Sequence, residues 1–363
     1  MARKHRSPPP PTPGCYAIVL PGLEPVAAEE IEDHPYLQAQ VKKTLPGAVV
    51  FRTDAIDESL LDLRTTEDVY LLGWGTDELT YKAEDLRNIE RWTAKDVRWD
   101  HLLQIHHRIR PKPSGKPTFR IITQMAGNHV YRRVDAGKAF AKGLAGKFPS
   151  SWKHVEENAS VEFWLTIHNR RAVCGLRLTD RNMRHRTYKR EHLPASLRPT
   201  MAAAMVRLGE ADFGEVVIDP MCGAGTLLAE QLDVAPEKMT VFGGDKDLEP
   251  LRSTRANLKP FRHARLSCWD ATQLPLVSDS VNVILSNPPF GKQIGKPEEM
   301  ASLYRRMIRE YDRILRPGGR AVLLVADYPL LKQAIPSKRW KSRRQLSVKV
   351  LGQKATIGVW VKQ

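Results

Sequence analysis

The sequence has 363 residues, and its 57 lysines and arginines against 41 aspartates and glutamates give a net charge of +16. This length allows two or three domains with sizeable cores, and the lack of any run of eighteen apolar residues argues against a membrane span. The four cysteines are far apart and form no C-x-x-C pair, so we expect neither a disulfide framework nor a metal site, and a reducing cytoplasm is the predicted location.

The first hundred residues predict a tail followed by a small α+β unit. Residues 1–13 combine cations with a run of prolines and contain no apolar signal segment, so we predict a disordered tail. Residues 1–100 hold 12 basic against 18 acidic side chains, a net charge of −6. Strands are predicted at residues 15–20, 48–51 and 69–74, and helices at residues 24–31 and 83–105.

The middle segment repeats the strand–helix–strand pattern with the opposite charge. Residues 101–199 hold 20 basic against 6 acidic side chains, a net charge of +14, which favours a phosphate backbone as the partner. A solvated basic face with no partner is the alternative. Strands are predicted at residues 118–123, 160–167 and 172–178, a helix at 135–148, a hairpin turn at 168–171, and an exposed basic linker at 181–190.

From residue 199 strands and helices alternate regularly, which is typical of a parallel, doubly wound α/β sheet. The last two apolar runs predict an antiparallel hairpin at the edge of that sheet. Strands are predicted at residues 216–219, 241–245, 265–266, 281–285 and 320–325, helices at 199–208, from 226, through 251–257 and at 300–315, and the hairpin at 347–351 and 355–361.

A turn with two prolines follows the predicted strand 281–285. Prolines cannot continue a strand ladder, so in the segment S-N-P-P-F-G (286–291) the chain must turn where an α/β sheet opens into a ligand crevice. The Asn287 side-chain oxygen and the Pro288 carbonyl would accept both N–H groups of an amine on a planar ring. Phe290 would stack on an extruded base. A purely structural Pro-Pro turn is the alternative.

Acidic residues and a glycine turn follow three successive predicted strands. The turn D-P-M-C-G-A-G-T (219–226) lets the backbone approach a ligand, and it lacks the lysine of a P-loop. Asp245 ends the next strand, where an acid accepts hydrogen bonds from ribose hydroxyls, and Asp270 follows the third strand, where it could meet an adenine amino group. Singly, each aspartate would equally suit a helix cap. Together they predict an adenosine-containing cofactor.

These motifs resemble those of the class I, S-adenosylmethionine-dependent methyltransferases. The pair D-P-x-C-G-x-G-T and N-P-P-F-G is similar to the guanine-N2 branch that modifies RNA, although Phe290 stands where many relatives have tyrosine. Residues 101–182 resemble a THUMP domain, and residues 14–100 resemble the ferredoxin-like domain that precedes it. The resemblance implies a Rossmann-like methyltransferase domain over residues 199–363, joined to the THUMP domain by a basic linker at 183–198.

The resemblance further implies transfer of a methyl group from S-adenosyl-L-methionine to N2 of a guanosine in tRNA, in the acceptor stem near position six. A monomer without a metal ion is expected. The implied catalytic residues are Asn287, Pro288 and Phe290, and the implied cofactor-binding residues are Asp219, Cys222, Gly223, Gly225, Thr226, Asp245, Asp270, Ala271 and Asn287. The cations expected to contact RNA are Arg120, Arg170, Arg171, Arg181, Arg184, Arg186 and Lys189.

Several alternatives stay open. The chain could modify guanine N2 in ribosomal RNA, or it could be a non-catalytic RNA-binding protein with a decayed enzyme domain. The N-P-P-F core also occurs in adenine-N6 and protein-glutamine methyltransferases, although the +14 charge of residues 101–199 argues against a protein substrate. The resemblance implies no role for the basic segment 338–344, for which extra RNA contacts and a solvated loop are both open.

Overall fold

The computed structural model describes residues 12–110, 114–194, 196–234, 239–261, 264–290, 297–350 and 352–363. Most of the predicted tail and Gly291 of the predicted turn lie outside these residues. No helix among them is long and apolar enough to cross a membrane. The chain forms two compact units: the first takes the described residues up to Ile18 with Ala28–Leu63 and Asp68–Asp180, and the second takes Val19–Ala27, Arg64–Glu67 and Arg181–Gln363.

The first unit is organised around one mixed sheet. Its strands are β1 (Cys15–Val19), β2 (Ala39–Leu45), β3 (Ala48–Thr53), β4 (Thr66–Thr76), β5 (Thr118–Ala126), β6 (Lys153–His154), β7 (Val161–His168) and β8 (Arg171–Arg177), in the order β2-β3-β1-β4-β8-β7-β5-β6. The helices that accompany it are α1 (Glu24–Asp33), a 3-10 helix (Glu58–Leu61), α2 (Glu84–Lys95), α3 (Trp99–Ile109) and α4 (Arg133–Leu144). Strand β4 belongs to the predicted domain 14–100 and β8 to the predicted domain 101–182, yet the two strands pair within one sheet. The division into these two domains therefore stays a prediction.

The prediction of one helix over residues 83–105 is wrong, because the chain breaks between α2 and α3. Helix α2 ends at Lys95, and α3 begins at Trp99. The indole Nε1 of Trp99 donates a 2.8 Å hydrogen bond to the Thr93 carbonyl, and its buried ring packs edge-on against Phe163. Burial of this large side chain stabilises the bend, which a local helical pattern does not reveal.

The second unit is organised around a largely parallel sheet. Its strands are β9 (Val216–Asp219), β10 (Thr240–Asp245), β11 (Ala264–Cys268), β12 (Val281–Ser286), β13 (Leu315–Val325), β14 (Trp340–Val350) and β15 (Gln353–Lys362), in the order β11-β10-β9-β12-β13-β15-β14. The strands β9 to β13 run parallel to one another, and β15 runs antiparallel to both of its neighbours, β13 and β14. The predicted α/β class with a terminal antiparallel hairpin is therefore confirmed for this unit.

Helices cover both faces of the second sheet. They are α5 (Asn182–His185), α6 (Pro199–Gly209), α7 (Thr226–Val234), α8 (Leu248–Asn257), α9 (Pro297–Ile314) and α10 (Tyr328–Ala334). Side chains of β13 alternate between two cores: Val322 and Leu324 pack with residues of α6 and α7, whereas Leu323 packs with residues of α9. This period of two arises because successive side chains of a strand point to opposite faces.

The strand order of the second sheet changes direction at β9. From β9 the sheet extends through β10 to β11 on one side and through β12 to β13 on the other. In an open parallel sheet, such a switch point leaves a crevice beyond the carboxyl ends of the strands. Residues 219–226 follow β9 and residues 287–290 follow β12, so the two predicted motifs lie at this crevice.

Candidate active site

A cavity of about 880 Å³ lies at the carboxyl ends of the parallel strands of the second unit. Its lining includes every predicted cofactor-binding residue except Gly225, namely Asp219, Cys222, Gly223, Thr226, Asp245, Asp270, Ala271 and Asn287. Pro288 and Phe290 line the same cavity. The structure thus brings together side chains that are up to 71 positions apart in the sequence, between 219 and 290. They meet because parallel strands end at a common edge.

Two glycines of the turn after β9 have different roles. Both have left-handed backbones, with φ of 52° at Gly223 and 74° at Gly225. A Cβ atom added to Gly223 would meet nothing within 4 Å, whereas one added to Gly225 would lie 2.7 Å from Cγ2 of Thr254 on α8. Gly223 therefore leaves room for a ligand to approach the backbone, and Gly225 allows the turn to pack on α8.

The carboxylate of Asp245 is held in place by two backbone N–H groups. Its Oδ2 accepts a 3.1 Å hydrogen bond from Gly223, and its Oδ1 accepts a 3.2 Å hydrogen bond from Asp247. Each carboxylate oxygen can accept a second hydrogen bond. An oriented carboxylate with spare acceptor positions is suited to the adjacent hydroxyl groups of a ribose.

Asp270 is an anchored carboxylate at the end of the third strand. Its Oδ1 accepts 2.8 Å hydrogen bonds from the Thr272 backbone N–H and from the Thr272 hydroxyl. The backbone hydrogen bond from Thr272 is the main cause that lowers the pKa of Asp270 below its usual range. An ionised carboxylate here can accept a hydrogen bond from an amino group in the cavity.

Asp219 differs from the other two acids because it is almost completely buried. The residue is 2% exposed, and its Oδ1 accepts a 3.1 Å hydrogen bond from the Met221 backbone N–H. Burial raises the pKa of Asp219 to about 8, and the negative charge of Asp245 acts in the same direction. A positively charged ligand in the cavity would favour the ionised form, which suits a sulfonium compound.

The turn after β12 presents an unused acceptor. The side-chain Oδ1 of Asn287 is buried and accepts no hydrogen bond from any residue in the described part of the chain. Leaving such an acceptor unpaired costs about 1–3 kcal/mol, so its position indicates a donor supplied by a ligand. Pro288 is buried, and Phe290 is partly buried against the core. The site thus fits a ligand with N–H groups beside an aromatic ring.

The cavity also has lining residues that the sequence did not indicate. Four come from the linker before α6, three from α9 and two from the adjoining ends of β14 and β15: Leu193, Pro194, Ser196, Leu197, Glu299, Leu303, Arg306, Val350 and Gln353. The apolar residues Leu193 and Leu197 were an available signal that this linker is not fully solvated. The described residues contain no group of three or more His, Cys, Asp or Glu side chains that could hold a metal ion.

Three of the expected RNA contacts lie in the first unit. Arg170 and Arg171 are exposed at the hairpin between β7 and β8, where Arg171 lies opposite His168. Arg120 is half-buried on β5, opposite Glu162 at the other end of β7. Six residues of strand separate those two pairing positions, which corresponds to about 20 Å. The structure therefore does not bring Arg120 together with the hairpin arginines.

The prediction that residues 181–190 form an exposed linker is wrong for its central part. Arg186 is 10% exposed, and its Nε donates a 3.1 Å hydrogen bond to Oε1 of the fully buried Glu230. The Tyr188 hydroxyl donates to the same oxygen at 2.6 Å. Lys189 donates to the Leu197 carbonyl, and burial lowers the pKa of Lys189 to about 8.

These contacts exist because the buried carboxylate of Glu230 on α7 needs compensating cations. Arg64 supplies a second guanidinium, with Nε and Nη2 at 2.9 and 2.7 Å from Oε2 of Glu230. Arg186 and Lys189 are thus committed to internal partners and are poorly placed to bind phosphate. Arg181 is exposed and Arg184 is half-buried.

Comparison with known proteins gives a match to the site-bearing half of the chain. Residues 186–355 match the family described as RMKL-like, methyltransferase domain. The chain is 32% identical over 235 residues to tRNA (guanine(6)-N(2))-methyltransferase THUMP3 of Bos taurus, which covers 60% of this chain and 45% of that protein. This chain therefore spans about half the length of such curated relatives.

Two comparisons extend over nearly the whole chain. The chain is 28% identical over 325 residues to a tRNA (guanine(6)-N2)-methyltransferase of Thermus thermophilus, with 88% of this chain and 91% of that protein covered. The crystal structure of TrmN from Thermus thermophilus matches with a TM-score of 0.77 and 26% identity, covering 96% of this chain and 99% of that one.

Proposed function

We propose that this chain transfers a methyl group from S-adenosylmethionine to N2 of a guanosine in tRNA, because residues 186–355 match the RMKL-like methyltransferase domain. The names of two relatives specify guanine 6 of tRNA, which supports the acceptor stem near position six as the target. The observation that carries the proposal is the buried Oδ1 of Asn287, which accepts no hydrogen bond from the described residues and lies at the cavity that the three aspartates also line.

Different cavity residues bind different parts of the methyl donor. Asp245 accepts hydrogen bonds from the ribose hydroxyls, and Asp270 accepts one from the adenine amino group. Asp219 provides negative charge near the cationic part of the donor, and Gly223 lets the donor approach the backbone. S-adenosylmethionine supplies a methyl group on a sulfonium, which is electrophilic enough to need no metal ion.

Residues after β12 select and orient the acceptor nitrogen. The Asn287 Oδ1 and the Pro288 carbonyl accept the two N–H groups of the guanine amine, which directs its lone pair towards the donor. Phe290 stacks on the base, which must leave its helix at a cost of a few kcal/mol. Neither Asn287 nor Pro288 is a base, so the proton that the amine loses passes to water. Catalysis comes from orientation and hydrogen bonding.

Contacts outside the cavity bind the RNA. We keep residues 101–182 as a THUMP domain that recognises tRNA by shape and phosphate contacts with little reading of bases. Arg170, Arg171 and Arg181 are exposed cations suited to this role. Cys15, Cys174, Cys222 and Cys268 are free thiols, which fits the reducing cytoplasm that we propose as the location, with the protein acting as a monomer.

A methyl-transfer assay tests the proposal. The full chain is incubated with methyl-labelled S-adenosylmethionine and either bulk tRNA or ribosomal RNA, and the RNA is digested to nucleosides. Labelled N2-methylguanosine from tRNA is the expected product. N6-methyladenosine, or label confined to ribosomal RNA, would overturn the proposal. A thermal-shift titration with S-adenosylmethionine addresses the non-catalytic alternative, because a decayed domain would show no stabilisation.

A further inference from the structure

One wall of the cavity comes from a segment that precedes the α/β sheet in the sequence. This wall consists of four linker residues, and residues of the glycine turn at 219–226 line the same cavity. The four are Leu193, Pro194, Ser196 and Leu197. The described residues between His185 and Pro199 belong to no strand or helix that could hold them in place. The position of this linker must therefore depend on contacts made by individual side chains. These contacts determine the shape of the cavity wall.

The side chain of Asn257 joins this linker to the glycine turn. Asn257 is the last residue of α8 and is 1% exposed. Its Nδ2 donates to the Ala224 carbonyl at 2.9 Å and to the Glu191 carbonyl at 3.0 Å. Its Oδ1 accepts from the backbone N–H groups of Arg190 and Glu191, both at 2.8 Å. Both donors and both acceptor positions of the amide are thus used.

Neighbouring contacts hold either the linker or the turn, but Asn257 holds both. Thr254, three residues earlier on α8, donates a 2.6 Å hydrogen bond to the Gly223 carbonyl. This bond holds the glycine turn and not the linker. Lys189 donates to the Leu197 carbonyl within the linker. Asn257 does not line the cavity, so it would act on a bound donor through these backbone segments and not by contact.

We propose that Asn257 is a positioning residue that holds the linker wall against the glycine turn and so sets the shape of the donor pocket. This inference rests on the proposed function, because the pocket is taken to bind S-adenosylmethionine. The hydrogen bonds of the Asn257 side chain go to Arg190, Glu191 and Ala224, and not to the proposed amine acceptors Asn287 and Pro288. Its loss should therefore weaken donor binding equally in the ground state and the transition state, which raises the KM for the donor and leaves kcat nearly unchanged.

The test measures donor-site affinity directly. Isothermal titration calorimetry of the full chain with S-adenosylhomocysteine should show that Asn257→Ala raises Kd roughly tenfold or more, since the four hydrogen bonds that hold the linker against the glycine turn are lost. Saturating turnover should stay within about twofold. Asn257→Asp keeps both acceptors but places a carboxylate against the Ala224 and Glu191 carbonyls, so its Kd should rise at least as much.

Asn282 provides a matched control. It is a buried asparagine on β12 whose Oδ1 accepts from Val216 at 2.9 Å and whose Nδ2 donates to Glu215 at 3.2 Å, and it does not line the cavity. Asn282→Ala should lower the melting temperature and leave Kd unchanged. An unchanged Kd in both Asn257 variants, or an equal rise in Asn282→Ala, would overturn the inference. Failure of the wild-type chain to bind S-adenosylhomocysteine would instead overturn the proposed function.

Discussion

Asp219 and Asp245 end the neighbouring parallel strands β9 and β10, and the charge of Asp245 adds to burial in raising the pKa of Asp219 to about 8. Because the native pKa lies above the usual value of 3.8, the folded chain keeps a proton that the unfolded chain loses. The contribution of Asp219 to stability is therefore fully present below about pH 4 and is lost as the pH rises through about 8.

Asp219→Asn should remove this part of the pH dependence, because an amide does not titrate. Urea unfolding of both proteins at several pH values between 4 and 8 would measure it. The free energy of unfolding of the wild type relative to the variant should decline across this range. A constant difference between the two proteins at all pH values would contradict the raised pKa.

Asn287→Ala should lower turnover about a hundredfold or more and leave tRNA affinity nearly unchanged, since it removes an acceptor that orients the amine during methyl transfer. Single-turnover methylation and a filter-binding assay with the same tRNA measure the two quantities. The buried Oδ1 has no partner in the described residues, so its removal should not lower the melting temperature. Intact turnover would show that Asn287 does not orient the acceptor.

Two arginines of the linker should respond differently to charge reversal. Arg181→Glu should weaken tRNA binding and reduce its salt dependence without affecting stability, because Arg181 is exposed. Arg186→Glu should lower the melting temperature strongly, because it places a second carboxylate beside the buried Glu230, where breaking an ion pair costs about 3–5 kcal/mol. Thermal melts and tRNA titrations at two salt concentrations separate the effects. Equal destabilisation by both changes would contradict the burial difference.

The two glycines of the turn offer a paired test. Gly225→Ala should lower both stability and donor affinity, because its Cβ would lie 2.7 Å from Cγ2 of Thr254. Gly223→Ala has open space around its Cβ, so it should lower donor affinity with a smaller loss of stability. Differential scanning calorimetry and titration with S-adenosylhomocysteine measure the two effects.

Removing the clashing methyl group provides the control for the glycine pair. Thr254→Ser keeps the hydroxyl that donates to the Gly223 carbonyl and removes Cγ2. The double variant Gly225→Ala/Thr254→Ser should therefore be more stable than Gly225→Ala alone. If the serine gave no recovery, the contact with α8 would not be the source of the instability.

Much of the candidate site was predictable because residues that end neighbouring parallel strands must share an edge. Short apolar runs located β9, β10 and β12, and residues at or just after the ends of these strands, such as Asp219, Asp245 and Asn287, line one cavity. The contacts of the linker were not predictable in this way. Glu230 and Asn257 reach it from helices more than forty positions away in the sequence, and such long-range partners leave no periodic pattern.

Long-range contacts and sequence composition also explain why some helix and strand bounds were predicted wrongly. The break between α2 and α3 depends on the burial of Trp99 against Phe163, which no local pattern contains. The strand β14 begins at Trp340, before the predicted start at residue 347. The prediction missed this part because residues 341–345 are all polar and form no apolar run. The segment 338–344 is therefore mainly strand, and the alternative of a solvated loop is wrong for residues 340–344.

The position of β14 at the edge of the sheet explains why this strand carries so many cations. Among the described strands it pairs only with β15, so its other side has backbone groups that could pair with a strand from another molecule. Lys341, Arg343 and Lys349 are exposed along it, and its register shifts between Ser342 and Arg344. Cations and irregular register discourage intermolecular strand pairing. The basic segment would thus protect the protein against aggregation, so replacing these cations with threonine or valine should reduce its solubility.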